Sequence, residues 1–106
     1  MSSEPLVLTD KDARGVVRLT LNRPAAFNSL SEGMLEALQA ALDGAAGDET
    51  ARAVIIAAAG RAFCAGHDLK EMRAEPSLGY YERLFAMCGR MMMAIQTLPV
   101  PVIARV

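Results

Sequence analysis

The sequence predicts an α/β fold, on three observations. Val16 to Leu21 alternates apolar and polar side chains with the period of a strand, Val17, Leu19 and Leu21 against Val16, Arg18 and Thr20. Ala53 to Ala59 is a continuous apolar run, β-branched at its centre and ended by Gly60, as expected of a strand buried on both faces. Two further segments carry apolar residues at helical spacing. The expected order is β-β-α-β-α-β.

The elements follow along the chain. Leu6 to Thr9 reads as a short strand. Asp10 to Gly15 is turn chemistry, because Asp favours Asx-turns and Gly supplies a positive φ. The strand from Val16 ends at Asn22-Arg23-Pro24, since Pro24 has no N–H for a ladder. A helix follows, with Ser29 and Ser31 both candidates for its N-cap. Leu35, Leu38, Leu42 and Ala45 form its apolar stripe, and Gly44 and Gly47 are expected to close it. After the central strand a short helix is expected at Asp68, from the Asp68 to Glu71 capping-box spacing. A longer helix runs from about Ser77 to Thr97. It has one stripe through Tyr80, Leu84, Met87, Met91 and Ile95 and a second through Tyr81, Phe85, Cys88 and Met92, so burial on several sides is expected. Pro99 and Pro101 break it, and Val102 to Val106 begins another strand.

Composition bounds the function. The chain has 106 residues, 53% of them apolar, with no Trp and a formal net charge of −1. That hydrophobicity excludes intrinsic disorder. It is high for so short a chain, so further chain or another subunit is expected to cover part of it. The 11 basic and 12 acidic residues interleave without a run, and the pI is near 5.8, which argues against nucleic acid as a partner. No apolar stretch reaches about 18 residues, so no membrane span is expected. Met1-Ser2-Ser3-Glu4-Pro5 lacks the basic and apolar regions of a signal peptide. Two Cys make no disulfide framework, and a soluble cytoplasmic protein is expected.

The chemistry is expected in Ala65-Gly66-His67-Asp68-Leu69-Lys70-Glu71-Met72. Gly66 permits a tight turn and Asp68 caps a helix, which leaves backbone N–H groups free at the turn. Those donors suit a developing oxyanion, such as a thioester oxygen held by the His67 N–H; a plain capped turn would give the same residues. His67 is the only histidine, and its imidazole is either a general base or a filler beside a working backbone. Cys64 is a candidate nucleophile, although its apolar neighbours favour a packing role. Met91-Met92-Met93 reads as core or interface filling rather than a metal site. Asp10, Asp12 and Gly15 resemble part of a calcium loop that lacks its other ligands.

In order, these pieces resemble the crotonase superfamily, the enoyl-CoA hydratase/isomerase family. The resemblance rests on Val17 to Pro24 followed by Asn28-Ser29-Leu30-Ser31, on Arg52 to Ile56, on Phe63 to Met72, and on Leu98 to Ala104. It implies a crotonase-like spiral of ββα units, with residues 1–106 the N-terminal part of a single domain. It implies an acyl-CoA thioester as substrate, no separate cofactor or metal, and assembly as a homo-oligomer, a trimer or hexamer. It puts the His67 backbone N–H in an oxyanion hole, Ala65, Gly66, Asp68, Leu69 and Lys70 along the acyl-CoA pocket, and Ala26 and Phe27 near the nucleotide end. Ala25 departs from the family, many of whose members carry a basic residue there.

The reaction implied is hydration of an enoyl-CoA through a thioester enolate; a non-catalytic acyl-CoA-binding or assembly member is the alternative. Family members are more than twice as long, and their second oxyanion Gly and catalytic carboxylates fall beyond Val106. Glu32, Glu36, Glu71, Glu75 and Glu82 do not match those positions, so the 106-residue chain alone is expected to be inactive.

Overall fold

The computed structural model describes residues 4–106; residues 1–3, which open the segment read above as lacking a leader, lie outside them. A four-stranded sheet has the order β1 (Val7–Lys11), β2 (Val16–Leu21), β3 (Ala53–Ala58) and β4 (Val102–Ala104). β1 pairs antiparallel with β2, whereas β2, β3 and β4 run parallel. Helix α1 (Glu32–Ala46) connects β2 to β3; α2 (Leu69–Ala74) and α3 (Leu78–Thr97) connect β3 to β4.

The first strand runs two residues further than its sequence suggests, because the turn starts only at Asp12. Asp12 Oδ1 accepts the N–H of Arg14 at 2.9 Å and of Val16 at 3.1 Å, and Oδ2 pairs with the Arg14 guanidinium at 2.7 Å. Its carboxylate is committed to the hairpin, not to a calcium loop. Gly15 sits at φ +86°, where a Cβ would strike the Thr50 carbonyl oxygen.

Ser31, not Ser29, caps α1, its Oγ accepting the Met34 N–H at 3.1 Å. The stripe Leu35, Leu38, Leu42 and Ala45 is buried as its spacing predicts. Each of those leucines contributes roughly 1.5–3 kcal/mol by leaving water. Gly47 caps the helix in an ordinary right-handed conformation, and Gly44 lies inside it, so Gly44 does not close α1.

Two burial expectations are corrected. β3 is covered less completely on one face than on the other: Val54 and Ile56 are buried in the core, while on the opposite face Ala57 is buried and Ala53 and Ile55 are half-buried. Helix α3, capped by Ser77, buries only Tyr80, Leu84 and Met91. Phe85 and Met92 of its second stripe are 49% and 46% exposed. The periodicity is apolar on two sides, but α1 lies against only one of them. Among the described residues no helix is long and apolar enough to cross a membrane.

Candidate functional site

Because β2 and β3 are parallel, the loops that follow them leave the same end of the sheet, the carboxyl end where α/β sheets place their ligands. Residues 22–31 and 59–68 therefore meet. Phe27 O accepts the Ala65 N–H at 3.0 Å. Leu30 then forms an isolated parallel bridge with His67.

The first loop is held by Asn28. Phe27 and Asn28 both adopt left-handed conformations, φ 52° and 54°, which asparagine tolerates better than most residues. Asn28 is fully buried and fully bonded. Its Oδ1 accepts the Arg23 N–H at 2.7 Å, its Nδ2 donates to Ala59 O and Ala62 O at 2.9 Å each, and its own N–H donates to Arg23 O at 2.9 Å. One side chain thus ties the two loops together.

The bridge fixes His67. The Leu30 N–H donates to Gly66 O at 2.7 Å, and Leu30 O accepts the Asp68 N–H at 3.3 Å. In a parallel bridge the bonds run to the residues flanking the partner, so the His67 N–H and C=O point away from Leu30. Gly66, at φ +90°, makes the reversal that allows this. The imidazole lies edge-on to the Phe85 ring, centroids 5.2 Å apart, and its Nδ1 is buried without a hydrogen-bond partner among the described residues. Among the described residues no carboxylate or hydroxyl is hydrogen-bonded to this Nδ1.

Asp68 is occupied. Its Oδ1 accepts the Glu71 N–H at 3.1 Å, capping α2 as expected, and its Oδ2 accepts from Arg23 Nη1 at 2.8 Å. The Arg23 guanidinium, and then the Glu71 N–H, hold the Asp68 carboxyl below its ordinary range. The box is not closed by Glu71, whose Oε1 instead accepts the Glu32 N–H at 2.7 Å and so ties α2 to the start of α1. Burial, and then the Glu71 carboxylate, push the Tyr80 hydroxyl up to about 12, so it stays protonated beside that carboxylate. At six residues α2 is too short for its dipole to matter much; the bridge sets the donor's direction.

The other expected site residues surround this turn. Phe27, Ala65, Leu69 and Lys70 are exposed, and Ala26, Gly66, His67 and Asp68 half-buried. Behind the turn lies an apolar cavity of about 250 Å³, lined among others by Leu30, Phe63, Cys64, Met91, Met92 and Ile95. Cys64 Sγ faces this cavity and accepts the Gly66 N–H at 3.5 Å, a packing role rather than a nucleophile's. Both cysteines are free. Burial, and then Cys64, push the Cys88 thiol up. Sequence reasoning missed Arg23 and the bonding of Asn28. The one local signal was an Asn in a loop entered through a proline, which marks a turn but not its partners.

The sequence profile of the enoyl-CoA hydratase/isomerase family matches residues 11–106. The mitochondrial enoyl-CoA hydratase domain-containing protein 3 of Xenopus laevis is 41% identical over 96% of this chain and 34% of its own length. The human protein of the same name is 38% identical over 98% of this chain and 34% of its own. Among solved structures, an enoyl-CoA hydratase of Mycobacterium smegmatis superposes with a TM-score of 0.95 at 69% identity, covering 97% of this chain and 40% of that one. The chain thus spans about a third of the length of these curated relatives.

Proposed function

The chain belongs to the enoyl-CoA hydratase/isomerase family, and from that premise we propose that the 27–30 and 65–68 loops form the first half of a site for an acyl-CoA thioester. In this reading the His67 N–H donates to the thioester oxygen. When water adds across an enoyl-CoA double bond, water gives up one proton to a base as its oxygen bonds to the β-carbon, and the π electron pair moves onto the thioester oxygen as an enolate. A proton delivered to the α-carbon completes the product. A donor aimed at that oxygen stabilises the enolate more than the substrate, and one such donor is worth about 2.7–4 kcal/mol. The observation that supports this best is the Leu30–His67 bridge, because it frees the N–H and fixes its direction.

The remaining assignments rest on the family resemblance. The acyl chain would run past Ala65 and Gly66 toward the apolar cavity, and Asp68, Leu69 and Lys70 would border it. Ala26 and Phe27 would face the nucleotide. The second donor and the proton-transferring carboxylates belong to the part of the relatives that this chain does not span. A homo-oligomer is the expected assembly. The non-catalytic alternative draws on Ala25, exposed where many members carry a cation.

The test is loss of the conjugated enoyl-thioester absorbance of crotonyl-CoA. A protein joining this sequence to the rest of the family's fold is expected to turn it over, and the 106-residue chain alone is not. Binding without turnover by the longer protein would favour the alternative. Turnover by the short chain would overturn the division of the site.

A further inference from the structure

Arg23 lies 45 residues before Asp68 and has no counterpart in the proposed chemistry, yet its guanidinium is tied into the turn that carries His67. We propose that Arg23 is a positioning residue: through its ion pair with Asp68 it sets the direction in which the His67 N–H points. This rests on the reading of His67 as the oxyanion donor.

Four hydrogen bonds meet on Asp68. Its N–H donates to Leu30 O, its C=O accepts the Met72 N–H at 3.1 Å, its Oδ1 accepts the Glu71 N–H, and its Oδ2 accepts from Arg23 Nη1. The backbone bond of 3.3 Å is the weaker member of the bridge; the Leu30 bond to Gly66 is 2.7 Å. So the Asp68 flank of His67 is the one that needs a side-chain hold. The ion pair is sheltered on its acidic side, with the Asp68 side chain 12% exposed and that of Arg23 35%. A charge-assisted bond in that setting is shorter and stronger than a neutral one. The cation itself comes from a fixed point, since the Arg23 N–H and C=O are both bonded to Asn28, and its Nη1 also reaches Ser29 Oγ at 3.4 Å. Arg23, Asn28 and Leu30 thus form one rigid edge against which Gly66 to Asp68 is registered. The peptide that carries the His67 N–H is held at its Gly66 carbonyl by Leu30, and release of the Asp68 flank lets it pivot about that one bond and moves the donor off the oxygen. Misplacement of about 1 Å in such a contact costs roughly a hundredfold in rate.

Histidine occurs once in the chain, so protein labelled with ¹⁵N-histidine shows a single backbone amide signal from this sequence, that of His67. The experiment follows this signal in the longer protein, its added part free of histidine or left unlabelled by segmental ligation, as a non-hydratable acyl-CoA thioester is added. Coenzyme A lacking the thioester is the reference. Wild type is expected to show a downfield shift specific to the thioester. Arg23→Gln and Asp68→Asn are expected to lose most of it, with kcat on crotonyl-CoA falling roughly ten- to a hundredfold while KM changes little. Arg23→Lys, which keeps the charge and disturbs folding least, is expected to fall between. The double variant is expected to lose no more than either single one, because the two residues act as one unit. A wild-type-sized thioester shift in folded Arg23→Gln, or in Arg23→Lys and Asp68→Asn if Arg23→Gln does not fold, overturns the proposal. So does additive loss in the double variant. If wild type shows no thioester-specific shift, the reading of His67 fails, and this proposal with it.

Discussion

Leu30 and His67 face each other in a one-residue parallel bridge, and every hydrogen bond of that bridge is made by the neighbours of His67 rather than by His67 itself. The bridge uses the backbone of Leu30 on both sides and leaves the His67 N–H to the outside. A buried leucine anchors it, 8% exposed. The imidazole contributes packing against Phe85 but no hydrogen bond through its buried Nδ1.

The first prediction follows from that division between backbone and ring. In the longer protein His67→Ala keeps the donor and is expected to lose less than about tenfold in kcat. His67→Pro removes it and is expected to lose roughly 10²–10³. Proline also strains the turn, so the Ala variant decides. A hundredfold loss in His67→Ala would make the imidazole catalytic.

A second prediction concerns Asn28. Asn28→Ala leaves the Arg23 N–H and the carbonyls of Ala59 and Ala62 without their partner. Each buried group so orphaned costs about 1–3 kcal/mol, and water entering the gap recovers part of it. A loss of about 3 kcal/mol in urea denaturation is expected. Asn28→Asp keeps the acceptor for Arg23 but sets a carboxylate against two carbonyls, so it is expected to be no better than Ala. Wild-type stability in Asn28→Asp would show that the Nδ2 bonds contribute little.

What the sequence revealed and what it concealed divide along contact range. β2 is legible residue for residue because alternation is a local property, and for the same reason Ser31 is legible as one of two cap candidates and Ser77 as the start of the long helix. The bonds that build the site are not local: Asn28 reaches Ala59 and Ala62 across 31 and 34 positions, and Arg23 reaches Asp68 across 45. No periodicity encodes those pairs. The Asp68–Glu71 spacing identified a helix start, yet could not say that Glu71 bonds to Glu32 instead of closing the box. The second stripe of α3 misled in the same way. A pattern states which side chains avoid water and says nothing of what lies against them.

A third prediction concerns acid. Asp68 is held below its ordinary value of 3.8 by Arg23 and then by the Glu71 N–H. Asp48 is held at about 2 by the Thr50 hydroxyl and then by Lys11. A carboxyl lowered on folding contributes stability that is complete above its unfolded pKa, near 3.9, and is lost as pH falls through the folded value. Stability is therefore expected to drop between about pH 4 and pH 2. Asp68→Asn should lower stability at about pH 7, and the gap to wild type should narrow as pH falls through the lowered Asp68 value. Urea midpoints measured across that range check it, and a constant gap between the two proteins would count against the Arg23–Asp68 pair.

The last prediction turns on two glycines with opposite constraints. Gly44 lies inside α1 on its exposed side, with nothing within 4 Å of where a Cβ would stand and no positive φ. Alanine there keeps the helix and removes the extra backbone freedom of glycine from the unfolded chain. Gly44→Ala is expected to stabilise the protein by about 0.8–1 kcal/mol, raising Tm by roughly 4–8 °C per kcal/mol for a domain of this size. Gly66 also has open space around a Cβ, but its φ is +90°. Gly66→Ala therefore meets no steric neighbour, and its whole cost is backbone strain, of order 1–3 kcal/mol. Relief requires φ at residue 66 to change, which displaces the backbone on both sides of it, the peptide that carries the His67 N–H included. The two variants should move Tm in opposite directions, and Gly66→Ala alone should shift the His67 amide signal. If both alanines stabilised, the turn would not need its left-handed glycine, and the direction assigned to the His67 N–H would lose its basis.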